Sequence, residues 1–184
     1  MISVRRADLD DLEVMVAVYT AAWREGFKHM FSAAVFARAD FDAERRAECL
    51  DTVLRDDADT FIALHGERVV GFSVSRRANR TVEVDDIWVH PSSWGTGAAA
   101  ALVARIEDDL RAQGGQQMVA WVPEDSPRGR HFFDKIGWKP TGDIDVLTVY
   151  PSDHNRMLEY SREPRTIDYT RGLPRPSLPA GLLR

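Results

Sequence analysis

The stretch Val89–Leu102, VHPSSWGTGAAAAL, sets two glycines one residue apart and follows them with four alanines and a leucine. Gly95 and Gly97 permit positive φ and remove the Cβ atoms that would hold a ligand away from the main chain. The first amides of the helix predicted behind them have no intrahelical acceptor, and its start carries roughly half a positive charge. Such a turn receives a phosphate or pyrophosphate. A lone glycine pair also serves as an ordinary tight connection from strand to helix. GTGAAA formally fits the dinucleotide fingerprint G-x-G-x-x-G/A as well, but that fingerprint opens a parallel βαβ unit and is followed about twenty residues on by an acid. Here an antiparallel hairpin precedes the turn, and the first carboxylate after the next strand is Glu124, farther away.

Working outward, TVEVDDIWV before the turn reads as a strand, and GTGAAAALVARIEDDLRAQGG after it as a helix, with Leu102, Ile106 and Leu110 four apart and Gly114 placed to stop it. Its acids near the C-terminal end oppose the helix dipole, so they serve something other than helix stability. Upstream, a strand over Ile2–Arg6 leads to a helix over Leu9–Glu25 capped by Asp8, and a second helix follows over Ala43–Arg55 capped by Asp42. TFIALHGERVVGFSVSRR reads as a hairpin turning at Gly66. Downstream, QQMVAWV is a strand, Pro127 starts a helix that Gly137 ends, and DIDVLTVY with RMLEYSR form a closing strand pair. The order predicts a mixed α+β sheet in one domain over residues 1–163. Residues 164–184 carry four of the nine prolines and four arginines and read as an extended tail, or as an arm packing on a partner subunit.

With 24 basic and 29 acidic residues the net charge is −5. That excludes a sequence-independent grip on nucleic acid and better suits a cationic small substrate. Cys49 is the only cysteine, so no intrachain disulfide forms, and no Cys/His spacing suggests a metal site. No apolar run approaches the roughly twenty residues of a membrane span, and the amino end lacks a secretion pattern. The expectation is a soluble cytoplasmic protein.

The glycine run resembles the signature V-x-P-x-x-[R/Q]-G-x-G-x-[G/A]-x-x-L of the GNAT superfamily of acyl-CoA-dependent N-acyltransferases, through Val89, Pro91, Gly95, Gly97, Ala99 and Leu102. EDSPRGRHFFDKIGWKPTGD resembles a second family segment through Asp125, Phe132, Gly137 and Trp138. AAWREGF and VVGFSV resemble the first helix exit and the hairpin. The resemblance implies a mostly antiparallel sheet splayed between its fourth and fifth strands and flanked by helices. It implies acetyl-CoA as co-substrate, lying between the strands that end at Val89 and near Val122. The pyrophosphate meets the amides of Gly95, Thr96, Gly97, Ala98 and Ala99, the backbone of Ile87, Trp88 and Val89 pairs with the pantetheine arm, and an amide near Val89 stabilises the oxyanion. Three positions depart from the family. Trp94 stands where Arg or Gln is usual, Ser126 replaces an Asn, and Phe133 replaces the Tyr that protonates the departing thiolate.

An amine attacks a thioester only after losing its proton, and a carboxylate close by accepts it. The family places its base six or four residues before the valine matched by Val89, which implies Glu83 as base and Asp85 as its assistant. Strict alternation puts Glu83, Asp85, Ile87 and Val89 on one face and Val84, Asp86 and Trp88 on the other; a bulge in this strand would bring Asp86 round instead. A salt-bridged strand end is the plainer reading of EVDD. Trp23 and Phe27, with Phe31, Phe36 and Phe41, lie where the resemblance places the acceptor wall, or they are plain core. Asp40 and Asp42 favour a cation there. His90 and His131 read as incidental, and His29, His65 and His154 lack recognisable partners. Cys49 reads as buried. The implied activity is acetylation of a primary amine, of a small molecule or of a protein, and the resemblance is compatible with a homodimer; the rival is an acyl-CoA-binding module without catalysis.

Overall fold

The computed structural model describes residues 1–38, 41–150 and 153–163. Asp40, the side chains of Phe41 and His154, and the segment from Pro164 onward lie outside the described residues. Strand β1 (Ile2–Arg6) is followed by a 3-10 turn (Leu9–Asp11), α1 (Leu12–Phe27), a single turn α2 (Ala33–Phe36) and α3 (Phe41–Leu54). Next come β2 (Ala58–His65), β3 (Arg68–Ala78), β4 (Thr81–Val89), α4 (Ala98–Ala112), β5 (Gln117–Pro123), α5 (Pro127–Lys135), β6 (Lys139–Tyr150) and β7 (Asp153–Arg162).

The seven described strands form one sheet in the order β1-β2-β3-β4-β5-β7-β6. Every adjacent pair is antiparallel except β4 and β5. One face packs on α4 and α5 through Phe61, Val70, Val84, Leu102, Ile106, Ala120 and Phe133. The other packs on α1 and α3 through Met15, Val18, Cys49, Ile62, Phe72 and Val74. Consecutive buried residues in β2, Phe61 and Ile62, thus serve opposite layers, as expected of a strand covered on both sides.

Two predicted helix starts shift. Asp8 does cap, but it caps the 3-10 turn: its carboxylate accepts from the Asp10 amide at 3.0 Å, while Asp11 accepts from the Asp8 amide at 3.0 Å. Asp42 is no cap, because α3 already begins at Phe41; it lies in the first turn, where its charge complements the helix dipole, and pairs with Arg24 at 3.1 Å. The acids late in α4 find their purpose in Glu107, a buried carboxylate held by Arg111 at 2.9 Å and by Arg162 of β7 at 3.2 Å. The pair ties α4 to the far side of the sheet.

Candidate functional site

β4 and β5 run parallel only from Thr81–Gln117 to Val84–Ala120 and then separate, while β4 stays paired with β3 as far as Val89. Among the described residues, the β5-facing edge of β4 therefore has no strand partner beyond Val84. The amide of His90 donates to the Val70 carbonyl at 2.8 Å, and antiparallel residues alternate in the neighbour they address. Trp88 accordingly turns its main chain to β3, whereas Ile87 and Val89 turn theirs into the open fork. The indole Nε1 of Trp94 donates to the Val89 carbonyl at 2.8 Å, which agrees with that direction. Of the three backbones named from the sequence, Ile87 and Val89 face the fork and Trp88 does not.

The turn past β4 closes one end of the fork. Gly95 has φ +80° and Gly97, the residue before α4, φ +90°. A Cβ built on either would meet nothing within 4 Å, so the space beside both α-carbons is open; the Thr96 amide donates to the Ser93 carbonyl at 3.4 Å. The Thr96 hydroxyl donates to the Ser93 carbonyl at 2.7 Å and tightens the turn. Ala98 is buried against the core and Ala99 packs partly on it, which seats the first turn of α4. Residues and space fit an anion, with amides as donors and the helix dipole behind them.

At the fork's other side, Ser126 caps α5, its Oγ accepting from the Gly129 amide at 3.3 Å. Phe133 is buried among Phe132, Trp138 and Tyr160. It presents no proton donor.

The carboxylates of β4 depart from simple alternation. Ser75 pairs with Val84 but Val74 pairs with Asp86, which leaves Asp85 as the extra residue of a bulge. After the bulge the faces exchange. Ile87 and Val89 join Val82 and Val84 on the α4 side, and Trp88 packs toward α1. The predicted grouping of Glu83 with Ile87 and Val89 fails for this reason; Glu83 shares its face with Asp86 and Trp88. Arg76, the cross-strand partner of Glu83, grips both oxygens of Asp85 at 2.6 and 2.7 Å and stands 3.6 Å from Glu83. The Glu83 carboxyl lies above its ordinary value, through burial first and Asp85 second, with Arg76 pulling the other way. Burial pushes Asp86 up to about 6, against the bond it accepts from Trp88 Nε1 at 2.8 Å.

A cavity of about 230 Å³ opens beside Asp86, lined by Tyr19, Glu48, Cys49, Asp51, Thr52 and Phe72. The Tyr19 hydroxyl donates to Glu48 at 2.8 Å, and burial holds it protonated. Cys49 is buried, as predicted, and burial with the charges of Asp86 and Glu48 pushes its thiol up to about 12, far from a nucleophile. Trp23 and Phe31 stack at 4.8 Å inside a small core of their own. Phe27 is half-buried and meets Trp88 edge-on at 5.8 Å. Of the two aromatic residues proposed for the acceptor wall, Trp23 is buried and Phe27 half-buried in one cluster that packs against Trp88, and neither lines the cavity beside Asp86.

Two features escaped the sequence. His29 Nε2 lies 2.7 Å from the Asp125 carbonyl, a contact in which the nitrogen must carry the proton, so the exit of α1 is tied to the loop between β5 and α5. His90 accepts from the Ser92 amide and caps the turn after β4. Neither partner is legible at sequence level: one contact spans 96 positions and the other is an ordinary cap.

Residues 15–138 match the acetyltransferase (GNAT) family. An uncharacterised N-acetyltransferase of Mycobacterium tuberculosis is 31% identical over 110 residues, 59% of this chain and 69% of the relative. Among solved structures, PaiA N-acetyltransferase of Thermoplasma acidophilum, in complex with coenzyme A, superposes with TM-score 0.68 at 16% identity over 89% of this chain and 99% of its own. YncA of Salmonella typhimurium, solved with its cofactor acetyl-CoA, superposes with TM-score 0.64 at 19% identity over 95% and 98%.

Proposed function

Since the chain belongs to the GNAT acetyltransferase family, we propose that it acetylates the primary amine of a small molecule by direct attack of the amine on the thioester. Acetyl-CoA is the co-substrate and supplies the activated acyl group. The observation that carries this reading is the bulge, which sets Asp86 on the face of Glu83 and Trp88, beside a cavity and next to the open fork.

The chain's own residues divide the work. The amides of Gly95, Gly97, Ala98 and Ala99, with the dipole of α4, hold phosphate, while the Thr96 amide stays on the Ser93 carbonyl. Ile87 and Val89 offer main-chain groups to an extended arm as another strand would, and the Val89 amide is the donor for charge developing on the thioester oxygen. Asp86 is the better-placed proton acceptor: it lines the cavity, and a carboxyl near 6 is ionised at neutral pH yet more basic than an ordinary aspartate. Glu83, on the same face of the strand but outside the cavity lining, adds negative charge that draws the ammonium in. Asp85, with both oxygens on Arg76, keeps that cation beside Glu83. As the C–N bond forms and the C–S bond breaks, the amine proton passes to the carboxylate. The departing thiolate takes its proton from water, because Phe133 has none to give; a thiol near 8.5 is a tolerable leaving group.

A small acceptor is supported by the cavity's size and by its roof of α1 and α3, where a peptide would need an open groove. The test is thiol release from acetyl-CoA across a panel of small amines and amine-bearing peptides. Turnover with small amines, lost in Asp86→Asn, supports the proposal. Tight CoA binding with no transfer to any amine would make the chain a binding module instead.

A further inference from the structure

Arg128, in the first turn of α5, holds its guanidinium carbon 3.5 Å from the centre of the Trp94 ring. Among the described residues it makes no hydrogen bond and no ion pair, although Arg5, Arg24, Arg76, Arg111 and Arg162 each hold a carboxylate. Its side chain is exposed. A guanidinium stacked on an indole uses its face, so the N–H donors radiating in its plane stay available for a second partner. The indole is itself fixed by its bond to the Val89 carbonyl at 2.8 Å. The result is a cation held on the side chain that precedes Gly95, between the first turn of α5 and the glycine turn that leads into α4.

From this geometry we infer that Arg128 is a phosphate-binding residue for CoA, with Trp94 as the platform that orients it. The inference rests on the reading that CoA lies at the glycine turn. It reassigns Trp94, which lacks a charge of its own: the charge comes from α5, across the fork, and the aromatic ring pre-organises it. One consequence is that nucleotide binding draws α5 and the turn together, because the stack already bridges them.

The test is calorimetric titration of the full chain with CoA, dephospho-CoA and phosphate-free pantetheine, at several salt concentrations. Arg128→Ala is expected to weaken CoA roughly ten- to hundredfold, to flatten the salt dependence, and to leave pantetheine unchanged. Arg128→Lys keeps the charge without the stack and falls between. Arg130→Ala, whose guanidinium sits on the Glu124 carbonyl, serves as control and stays within twofold of wild type. Equal losses for CoA and dephospho-CoA assign the contact to the pyrophosphate, and a loss confined to CoA assigns it to the 3′-phosphate. Arg128→Ala binding CoA within twofold of wild type overturns the inference, as does an equal loss for pantetheine, which signals disturbed packing. Failure of the wild type to bind CoA is a different outcome and overturns the underlying reading.

Discussion

The Asp86 carboxylate accepts a hydrogen bond from the indole Nε1 of Trp88, two residues along the same strand, at 2.8 Å. The bond spans i to i+2 on one face of β4, beside the cavity, and fixes which way the carboxylate points. Burial nevertheless wins over it, and the group sits at about 6 where an unperturbed aspartate has 3.8. If Asp86 takes the amine proton, kcat/KM rises as pH climbs through about 6 and then levels. Asp86→Asn keeps an acceptor for Trp88 and removes the base, so transfer falls about 10²–10⁴-fold with CoA affinity unchanged. A variant that retains full activity would assign the proton to another group.

The same carboxyl makes a stability prediction of definite sign. Its folded value is raised, so the folded state holds a proton that the unfolded chain releases, and stability is lost as pH rises from about 4 through about 6. Two units correspond to about 3 kcal/mol. Asp86→Asn is therefore expected to stabilise the protein by about 1–3 kcal/mol at pH 8 and to change little near pH 4. Urea denaturation at the two pH values measures this, and an equal shift at both would mean that the charge is not the cause.

Arg76→Leu removes the cation between Glu83 and Asp85. Both carboxylates then lose their counter-charge, Glu83 moves further above its ordinary value, and the unpaired Asp85 charge pushes Asp86 up as well. The acid limb of the pH–rate profile is expected to shift to higher pH, with Arg76→Lys restoring part of it. Because the Arg76 side chain is 43% exposed, stability should change by less than about 1 kcal/mol. An unmoved limb would show that this triad does not feel the reaction.

These carboxylates mark where the sequence stops being readable. The glycine turn was legible because only glycine supplies φ near +90° without strain, so the need is written in the residue itself. The succession of strands and helices along the chain is likewise written in hydrophobic patterning and turn residues, whereas the order β5-β7-β6 at the sheet's edge is not. The bulge at Asp85 carries no such mark: any residue can be the extra one, and a one-residue slip exchanges every later side chain between faces. Hence strict alternation groups Ile87 and Val89 with the wrong carboxylate, and only the alternative of a bulge brings Asp86 round. Aromatic residues at helical spacing also failed to announce their roles, since Trp23 and Phe27 differ only in what α2 and β4 bring against them. The Arg128–Trp94 stack joins two helix entries 34 residues apart, and nothing local foretells it.

Glu107 carries a second stability prediction. It is buried with Arg111 and Arg162, and Arg162 also donates to the Ile136 carbonyl at 3.0 Å. Glu107→Ala leaves Arg162, a largely buried cation, without its counter-charge and is expected to cost about 3–5 kcal/mol. Glu107→Gln keeps an acceptor and should cost less. A thermal melt in which the alanine variant matches wild type would show that α4 and β7 are held by apolar packing alone.

Gly97 and Gly71 are predicted to fail in opposite ways. At Gly71 a Cβ would lie 2.7 Å from the Trp88 carbonyl oxygen and 3.0 Å from a Val89 methyl, so Gly71→Ala forces β3 away from the β4 backbone. Stability should fall by about 1–3 kcal/mol, and CoA binding only through the fraction unfolded. At Gly97 a Cβ meets nothing within 4 Å, and the obstacle is φ +90°. Asparagine tolerates left-handed backbone better than most residues, so Gly97→Asn should cost about 1 kcal/mol or less. Its side chain nevertheless enters the open space above the α4 amides, where phosphate is to sit. The expected outcome is a fold close to wild type by thermal melt with CoA affinity reduced tenfold or more. Gly97→Asn binding CoA as tightly as wild type would move the phosphate site off the turn and remove the support for placing the nucleotide there.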